Sequence, residues 1–366
     1  MDDGEPYDRL VSFLRAEAFP DAEDVQILEV RRPAEGGSWE TFFLRVSIRA
    51  KRIEERWLVV RRAPNEGPLA PYDAAKDGLI LHALVGSGIP IPPPIGFTTD
   101  SSVFSRPISV TELVEGTSHD LARIESWPLW HTKRQAIGFE LIDTLANIRR
   151  FHWLDKPSLV AVLGPRGSAS ERVARMIDQH LLAFEDGSGD LVGVPQIVWK
   201  DIGVWLKDNV PDLPEEELVL VHGDYRFGNL IWQDTKISAV LDWERATLGD
   251  AMQDLGFLCM PMARRRRPDL FGMALTFDEL LGRYYESTGG AIDLRRLQYY
   301  EIFWQFIQGS LTSRRLLGEQ SDRAGGTESA ARRAGLNMSR ILGPNLHVRQ
   351  TLPLIDAFAR GKHDVL

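Results

Sequence analysis

Between residues 219 and 255, oxygen-bearing side chains recur at spacings suited to handling a phosphate. The chain reads Val219-Leu220-Val221-His222-Gly223-Asp224-Tyr225-Arg226-Phe227-Gly228-Asn229, then Val240-Leu241-Asp242-Trp243-Glu244, then Leu248-Gly249-Asp250 and Asp254-Leu255. Asp224 follows an apolar run and so leaves the end of a strand. Asn229 opens the next run, and Asp242 closes the one after it. Apolar runs at 218–221, 229–232 and 237–241, with Asp234-Thr235-Lys236 as a turn, would bring the three side chains to one edge of a small sheet. Hard cations such as magnesium take oxygen ligands, one or two from protein and the rest from phosphate and water. Phosphoryl transfer asks for a carboxylate to receive or orient the hydroxyl proton, ligands to hold a metal–triphosphate, and a cation against the moving phosphoryl group. Asp224 suits the first role, Asn229 and Asp242 the second, and Arg226 the third. A lone His-Gly-Asp would be no more than a polar turn. The joint spacing, Asp-x4-Asn and then an apolar strand ending in Asp-x-Glu, is what points to chemistry.

These residues need elements to position them. Tyr7, Leu10, Val11 and Leu14 step as a short amphipathic helix. Strand-like segments follow at 25–30, at 41–48 with Phe42, Leu44, Val46 and Ile48 on one face, at 57–60 and at 107–114. A helix is expected over 73–85, ended by Gly86-Ser87-Gly88 and the prolines beyond. After Gly116 the pattern becomes helical, over 134–151 and 171–184, and over 297–311, where Leu297, Tyr300, Trp304, Ile307 and Leu311 define a wide apolar face. The expected fold class is α+β and bilobal. Residues 1–115 would form a lobe with an antiparallel sheet and one helix, and residues 116–366 a mainly helical lobe.

Composition narrows the partners. The 366 residues are 43% hydrophobic and 26% charged, enough for a large core, and the formal net charge is −9. That balance argues against nucleic acid as the main partner, since phosphate backbones call for clustered Lys and Arg. One cysteine, Cys259, rules out an intrachain disulfide and suits a reducing, cytoplasmic setting. The acidic start Met1-Asp2-Asp3-Gly4-Glu5 has no apolar segment of a secretory signal, and no run of about 18 apolar residues suggests a membrane span.

The His-Gly-Asp-x4-Asn segment followed by Leu-Asp-Trp-Glu resembles the aminoglycoside phosphotransferase and choline-kinase-like family, from about residue 25 to beyond 310. It is most similar to the branch related to kinase domains fused to acyl-CoA dehydrogenases. The resemblance implies a protein-kinase-like fold and ATP- and magnesium-dependent phosphorylation of a small-molecule hydroxyl. It makes Asp224 the base, Asn229 and Asp242 the magnesium ligands, His222 the structural histidine of the catalytic loop and Asp254 the carboxylate that braces that loop. Arg226 falls where protein kinases carry a phosphate-contacting lysine. Gly36-Gly37-Ser38-Trp39-Glu40-Thr41 is similar to the family's phosphate loop, with Ser38 facing phosphate and Trp39 in place of the usual Asn. Arg61 stands where the phosphate-pairing lysine would be, with Asp77 as its partner; an arginine can bind phosphate through its planar fork. The segment 110–116 is similar to the hinge, with adenine meeting the backbone of Glu112 and Val114.

The acceptor is less determined, because fold and function separate at that site. Arg264-Arg265-Arg266-Arg267 lies soon after the catalytic segment and suggests an anionic acceptor. The resemblance implies a hydroxy acid or a hydroxyacyl-CoA. An aminoglycoside, macrolide or other amino-alcohol is the alternative acceptor, and a nucleotide-binding pseudokinase the alternative without turnover.

Overall fold

A computed structural model of the chain describes residues 6–33, 39–64, 73–119, 124–164, 166–182, 196–264, 266–321 and 347–362. The first part is a five-stranded antiparallel sheet in the order β1-β2-β3-β5-β4. The strands are β1 (Asp24–Arg31), β2 (Glu40–Arg49), β3 (Ile53–Arg62), β4 (Pro94–Thr98) and β5 (Ile108–Glu112). Alternation decides its faces. Phe42, Leu44, Val46 and Ile48 of β2, with Leu58 and Val60 of β3, form a core with Leu10 and Leu14 of helix α1 (Tyr7–Glu17). The intervening residues Thr41, Phe43, Val59 and Arg61 face the other way and line a cleft. β4, which begins at a proline and lies at the sheet edge, carries no alternating signal and was not expected from the sequence.

Helix α2 (Ala74–Leu84) is capped by the Asp73 side chain, which accepts from the Lys76 amide at 3.0 Å. Its Ile80, Leu81 and Leu84 pack into the core of the second part, not that of the sheet. Gly78 on its other side lies against Phe97 of β4, so α2 touches both parts although it lies before residue 115. The connection between them is a close fit: Gly116 sits at φ +136°, a Cβ there would meet the Trp232 carbonyl oxygen at 2.6 Å, and Thr117 bridges to Trp232.

The second part is mainly helical. Its helices of eight or more residues among those described are α4 (Pro128–Arg149), α6 (Ala169–Leu182), α7 (Gln196–Asp208), α8 (Met252–Cys259), α9 (Phe277–Thr288), α10 (Leu294–Ser321) and α11 (347–359); α3 (Ser101–Phe104) and α5 (Pro157–Val162) are short. Four short strands lie among them: β6 (Val219–Val221), β7 (Leu230–Gln233), β8 (Lys236–Val240) and β9 (Thr247–Gly249). They do not share one small sheet, as the sequence suggested. β6 pairs with β9, and β7 pairs with β8. Three residues are too few for β9 to show a period, so its pairing with β6 is decided by tertiary contact. No helix among the described residues is long and apolar enough to cross a membrane.

Candidate active site

The loop after β6 is built around one carboxylate. Asp254, on the first turn of α8, is buried and accepts from the amides of His222 at 2.7 Å and Gly223 at 2.8 Å. Burial raises its pKa, an effect opposed by His222 and the two amides. Gly223 takes φ +81°, and a Cβ there would lie 2.6 Å from the Arg245 carbonyl oxygen, so only glycine fits. The His222 ring is fixed at both nitrogens. Its Nδ1 accepts from the Asp224 amide at 3.1 Å, and Nε2 sits 2.8 Å from the Leu241 carbonyl oxygen. A carbonyl only accepts, so a proton belongs on Nε2.

This frame delivers Asp224 against Asn229. The Asn229 carboxamide donates to Asp224 Oδ2 at 2.8 Å and to the Asp224 carbonyl oxygen at 2.9 Å. Both bonds use the nitrogen, which leaves Asn229 Oδ1 without a protein partner among the described residues. Arg226 Nε donates to Asp224 Oδ1 at 3.2 Å. The Leu241 amide donates to the Asn229 carbonyl oxygen at 2.8 Å and so holds the third residue, Asp242, beside the first two. Asp242 takes left-handed backbone angles, φ 68° and ψ 57°, which aspartate tolerates better than most residues. All three oxygen-bearing residues are thus brought together, around a loop and two strand ends.

Asn229 and Asp242 form one wall of a cleft of about 290 Å³ between the sheet and the helical part. Its other walls include Thr41, Phe43, Val59, Leu81, Pro92, Ile231 and the segment 111–114 at the end of β5. Arg61 crosses it, donating to Asp242 Oδ1 at 2.5 Å and to Asp77 Oδ1 at 3.3 Å. The expected Arg61–Asp77 pair is present, but Arg61 lies closer to Asp242. Burial pushes the Asp242 carboxyl upward; the Arg61 guanidinium outweighs it and holds the pKa below the ordinary range. Asp77 Oδ2 is buried with no hydrogen bond. At the far end, the Glu112 amide is taken by the Pro93 carbonyl, and its side chain pairs with Arg56 at 2.9 Å. The Val114 amide, just beyond β5, has no backbone partner among the described residues. Ser38 lies outside the described residues. Its neighbour Trp39 is buried, donates to Glu244 Oε2 at 2.5 Å, and lies under the Arg61 guanidinium, 5.1 Å from ring centre to Cζ.

Residues 29–298 match the model of the phosphotransferase enzyme family. The chain belongs to that family. Among curated relatives, acyl-CoA dehydrogenase family member 11 of Gallus gallus is 29% identical to the phosphotransferase over 63% of the chain, which spans 27% of that relative's length. Among solved structures, a provisionally assigned aminoglycoside phosphotransferase from Ralstonia eutropha is 20% identical, with a TM-score of 0.67 over 95% of this chain and 98% of that one. A thermostable mutant of aminoglycoside phosphotransferase APH(4)-Ia, in ternary complex with AMP-PNP and hygromycin B, is 16% identical, with a TM-score of 0.57 over 93% and 98%. The last two likenesses bear on the fold, which is kinase-like as expected.

The arginine run behaves differently from the expectation. Arg264 turns inward, with Nη1 donating to the Pro268 carbonyl at 3.2 Å, its guanidinium 4.4 Å from the Phe271 ring centre, and Glu301 at 3.9 Å. Arg267 forms a two-pronged pair with Asp269, at 3.0 and 2.6 Å. Neither contacts Asp224, Arg226 or Asn229, so these two do not converge on one anion. Arg265 lies outside the described residues, and Arg266 has interactions of its own. Consecutive residues on a turn point in different directions, which a run of letters does not reveal. Sequence reasoning also passed over Arg245, whose Nη1 lies 3.9 Å from Asp224 Oδ1. The available signal was its position directly after Asp-Trp-Glu.

Proposed function

We propose that the phosphotransferase uses ATP and magnesium to phosphorylate a hydroxyl of a small anionic acceptor, a hydroxy acid or a hydroxyacyl-CoA. The observation that carries the reading is the pair of hydrogen bonds that Asn229 donates to Asp224. It locks a candidate metal ligand to a candidate base, with Asp242 alongside at the mouth of a cleft of nucleotide scale.

The donor set suits magnesium. Asn229 Oδ1 and the Asp242 carboxylate are hard oxygen ligands, and no group of three or more His, Cys, Asp and Glu suited to a metal occurs among the described residues, so phosphate oxygens would complete the shell. When bound, the metal would neutralise charge on the triphosphate. The chain's own residues supply the rest. The Glu112 carbonyl and Val114 amide would hold adenine. Arg61 is shared between Asp242 and Asp77; on nucleotide binding it would turn from Asp242 toward phosphate oxygens and the unpartnered Asp77 Oδ2. Asp224 would take the proton of the acceptor hydroxyl. The new bond joins that oxygen to the γ-phosphorus, the bond from the γ-phosphorus to the bridging oxygen breaks, and ADP leaves. Arg226 stands beside Asp224 to meet the moving phosphoryl group.

The acyl character of the acceptor is supported by the likeness to an acyl-CoA dehydrogenase family member. The second reading, an amino-sugar or amino-alcohol acceptor, is favoured by the fold shared with a hygromycin B complex. The test is incubation with ATP, magnesium and a panel of hydroxy acids, hydroxyacyl-CoAs and aminoglycosides, with products read by mass spectrometry. Asp224→Asn should lose turnover by about 10²–10⁴-fold while nucleotide affinity stays near that of the wild type. Asp242→Ala should lose magnesium-dependent ATP binding. Near-normal turnover of Asp224→Asn would mean that another group is the base.

A further inference from the structure

Arg245 is an unusual cation for its position. It ends the turn after Asp242, its backbone carbonyl roofs Gly223, and its guanidinium lies over the Trp304 ring of α10 at 5.0 Å. Its side chain is 12% exposed, yet among the described residues it makes no hydrogen bond. Its nearest acidic atom is Asp224 Oδ1, at 3.9 Å, beyond hydrogen-bond distance. The charged groups around it are Asp224, Glu244, Asp242 and Arg226. A guanidinium has five donors in a rigid fork, and none of those of Arg245 is hydrogen-bonded among the described residues. The contact with the Trp304 ring uses none of those donors.

The direction of the fork also matters. Neither Arg245 nor Asp224 lines the nucleotide cleft, whose wall is formed by Asn229 and Asp242. Arg245 therefore stands beside Asp224 and outside the lining of that cleft.

We propose that Arg245 is the specificity-determining residue for the acceptor, holding an acyl oxygen, of a carboxylate or a thioester, carried one or two carbons from the hydroxyl presented to Asp224. The proposal rests on the functional reading above and deepens it. The unused donors beside Asp224 match the oxygens of such a group, and the geometry lets one short molecule meet both residues at once.

The test uses three probes, 3-hydroxybutyrate, its CoA thioester and 1,3-butanediol, which keeps the hydroxyl and lacks the acyl oxygen. Initial rates are measured for the wild type, Arg245→Met and Arg245→Lys, with thermal melting as a check on folding. Arg245→Met should lower kcat/KM for the acyl probes by about 10- to 100-fold, the loss of one or two charge-assisted hydrogen bonds. The diol should change less than about twofold, and so should the KM for ATP. Arg245→Lys keeps the charge without the fork and should fall between the two. Equal losses on the acyl probes and the diol would overturn the proposal and make Arg245 a positioning group for Asp224 or for the phosphoryl group. A raised KM for ATP would overturn it in favour of a nucleotide role. If the wild type phosphorylates neither acyl probe, the anionic-acceptor reading falls, and Arg245 as acyl anchor falls with it. Unchanged selectivity in the variants sinks only the Arg245 assignment.

Discussion

At the scale of single residues, one buried carboxylate decides whether the catalytic loop has a shape at all. Asp254 serves the amides of two consecutive residues, His222 and Gly223, that turn away from β6 and have no strand partner to accept from them. In Asp254→Ala both would be left buried without an acceptor, at about 1–3 kcal/mol each. The variant should lose about 2–6 kcal/mol in urea unfolding, and kcat should fall with it because Asp224 is placed by the same turn. A variant with wild-type stability would show that water replaces the carboxylate and that the brace is dispensable. The same economy governs Asn229, whose single nitrogen restrains both the backbone and the side chain of Asp224.

At the scale of elements, the site depends on how closely α8 approaches α10. Gly256 of α8 is the contact point: a Cβ there would lie 2.6 Å from Tyr300 Cβ and 2.9 Å from the Tyr300 carbonyl carbon, which is backbone and cannot swing aside. Gly256→Ala should therefore cost about 1–3 kcal/mol through overpacking. Because Asp254 sits one half-turn earlier on α8, turnover should decline together with stability. Gly138, whose Cβ would meet the Leu275 side chain at 2.4 Å, is the useful contrast. Its clash is with a side chain that can repack, not with backbone. Gly138→Ala should leave kcat nearly intact, as single-turnover rates would show; equal loss of kcat in both would break the link to α8.

At the scale of the whole molecule, the helical core carries a charge cost that varies with pH. Glu301 of α10 is fully buried, and neither of its oxygens has a hydrogen bond. Burial raises its pKa to about 8, partly opposed by Arg264. The folded value thus exceeds the ordinary 4.5, so between these two values the unfolded chain has released a proton that the folded chain retains. Folding then binds the proton, and stability must fall as pH rises through that window, by up to about 1.4 kcal/mol per pH unit. Below pH 4.5 the contribution is fully present. Glu301→Gln removes the titration, so its urea-unfolding free energy should gain on the wild type steadily from pH 5 to pH 8. Parallel profiles for the two proteins would show that Glu301 is ionised in the fold at all these values, held by Arg264.

The order of the chain alone determined the local content of this protein. Alternation in β2 separated the core residues Phe42, Leu44, Val46 and Ile48 from the cleft residues Thr41 and Phe43, because a strand has a period of two whatever it packs against. Helical periods marked α1, α2, α4, α6 and α10, and the spacing of Asp224, Asn229 and Asp242 selected them as a group before any coordinates. Tertiary structure decided what depends on direction in space. It split the short strands into two ribbons, since segments of three to five residues carry too little pattern to choose a partner. It turned Arg264 into the core and paired Arg267 with Asp269, dissolving a run that looked like one charged surface. It carried Trp39 across to Glu244, 205 residues away, and leaned Arg61 toward Asp242 more closely than toward Asp77. And it set Arg245 on Trp304 beside Asp224, a placement no spacing encodes, because the three residues come from separate segments that meet only when the helices close around the catalytic turn.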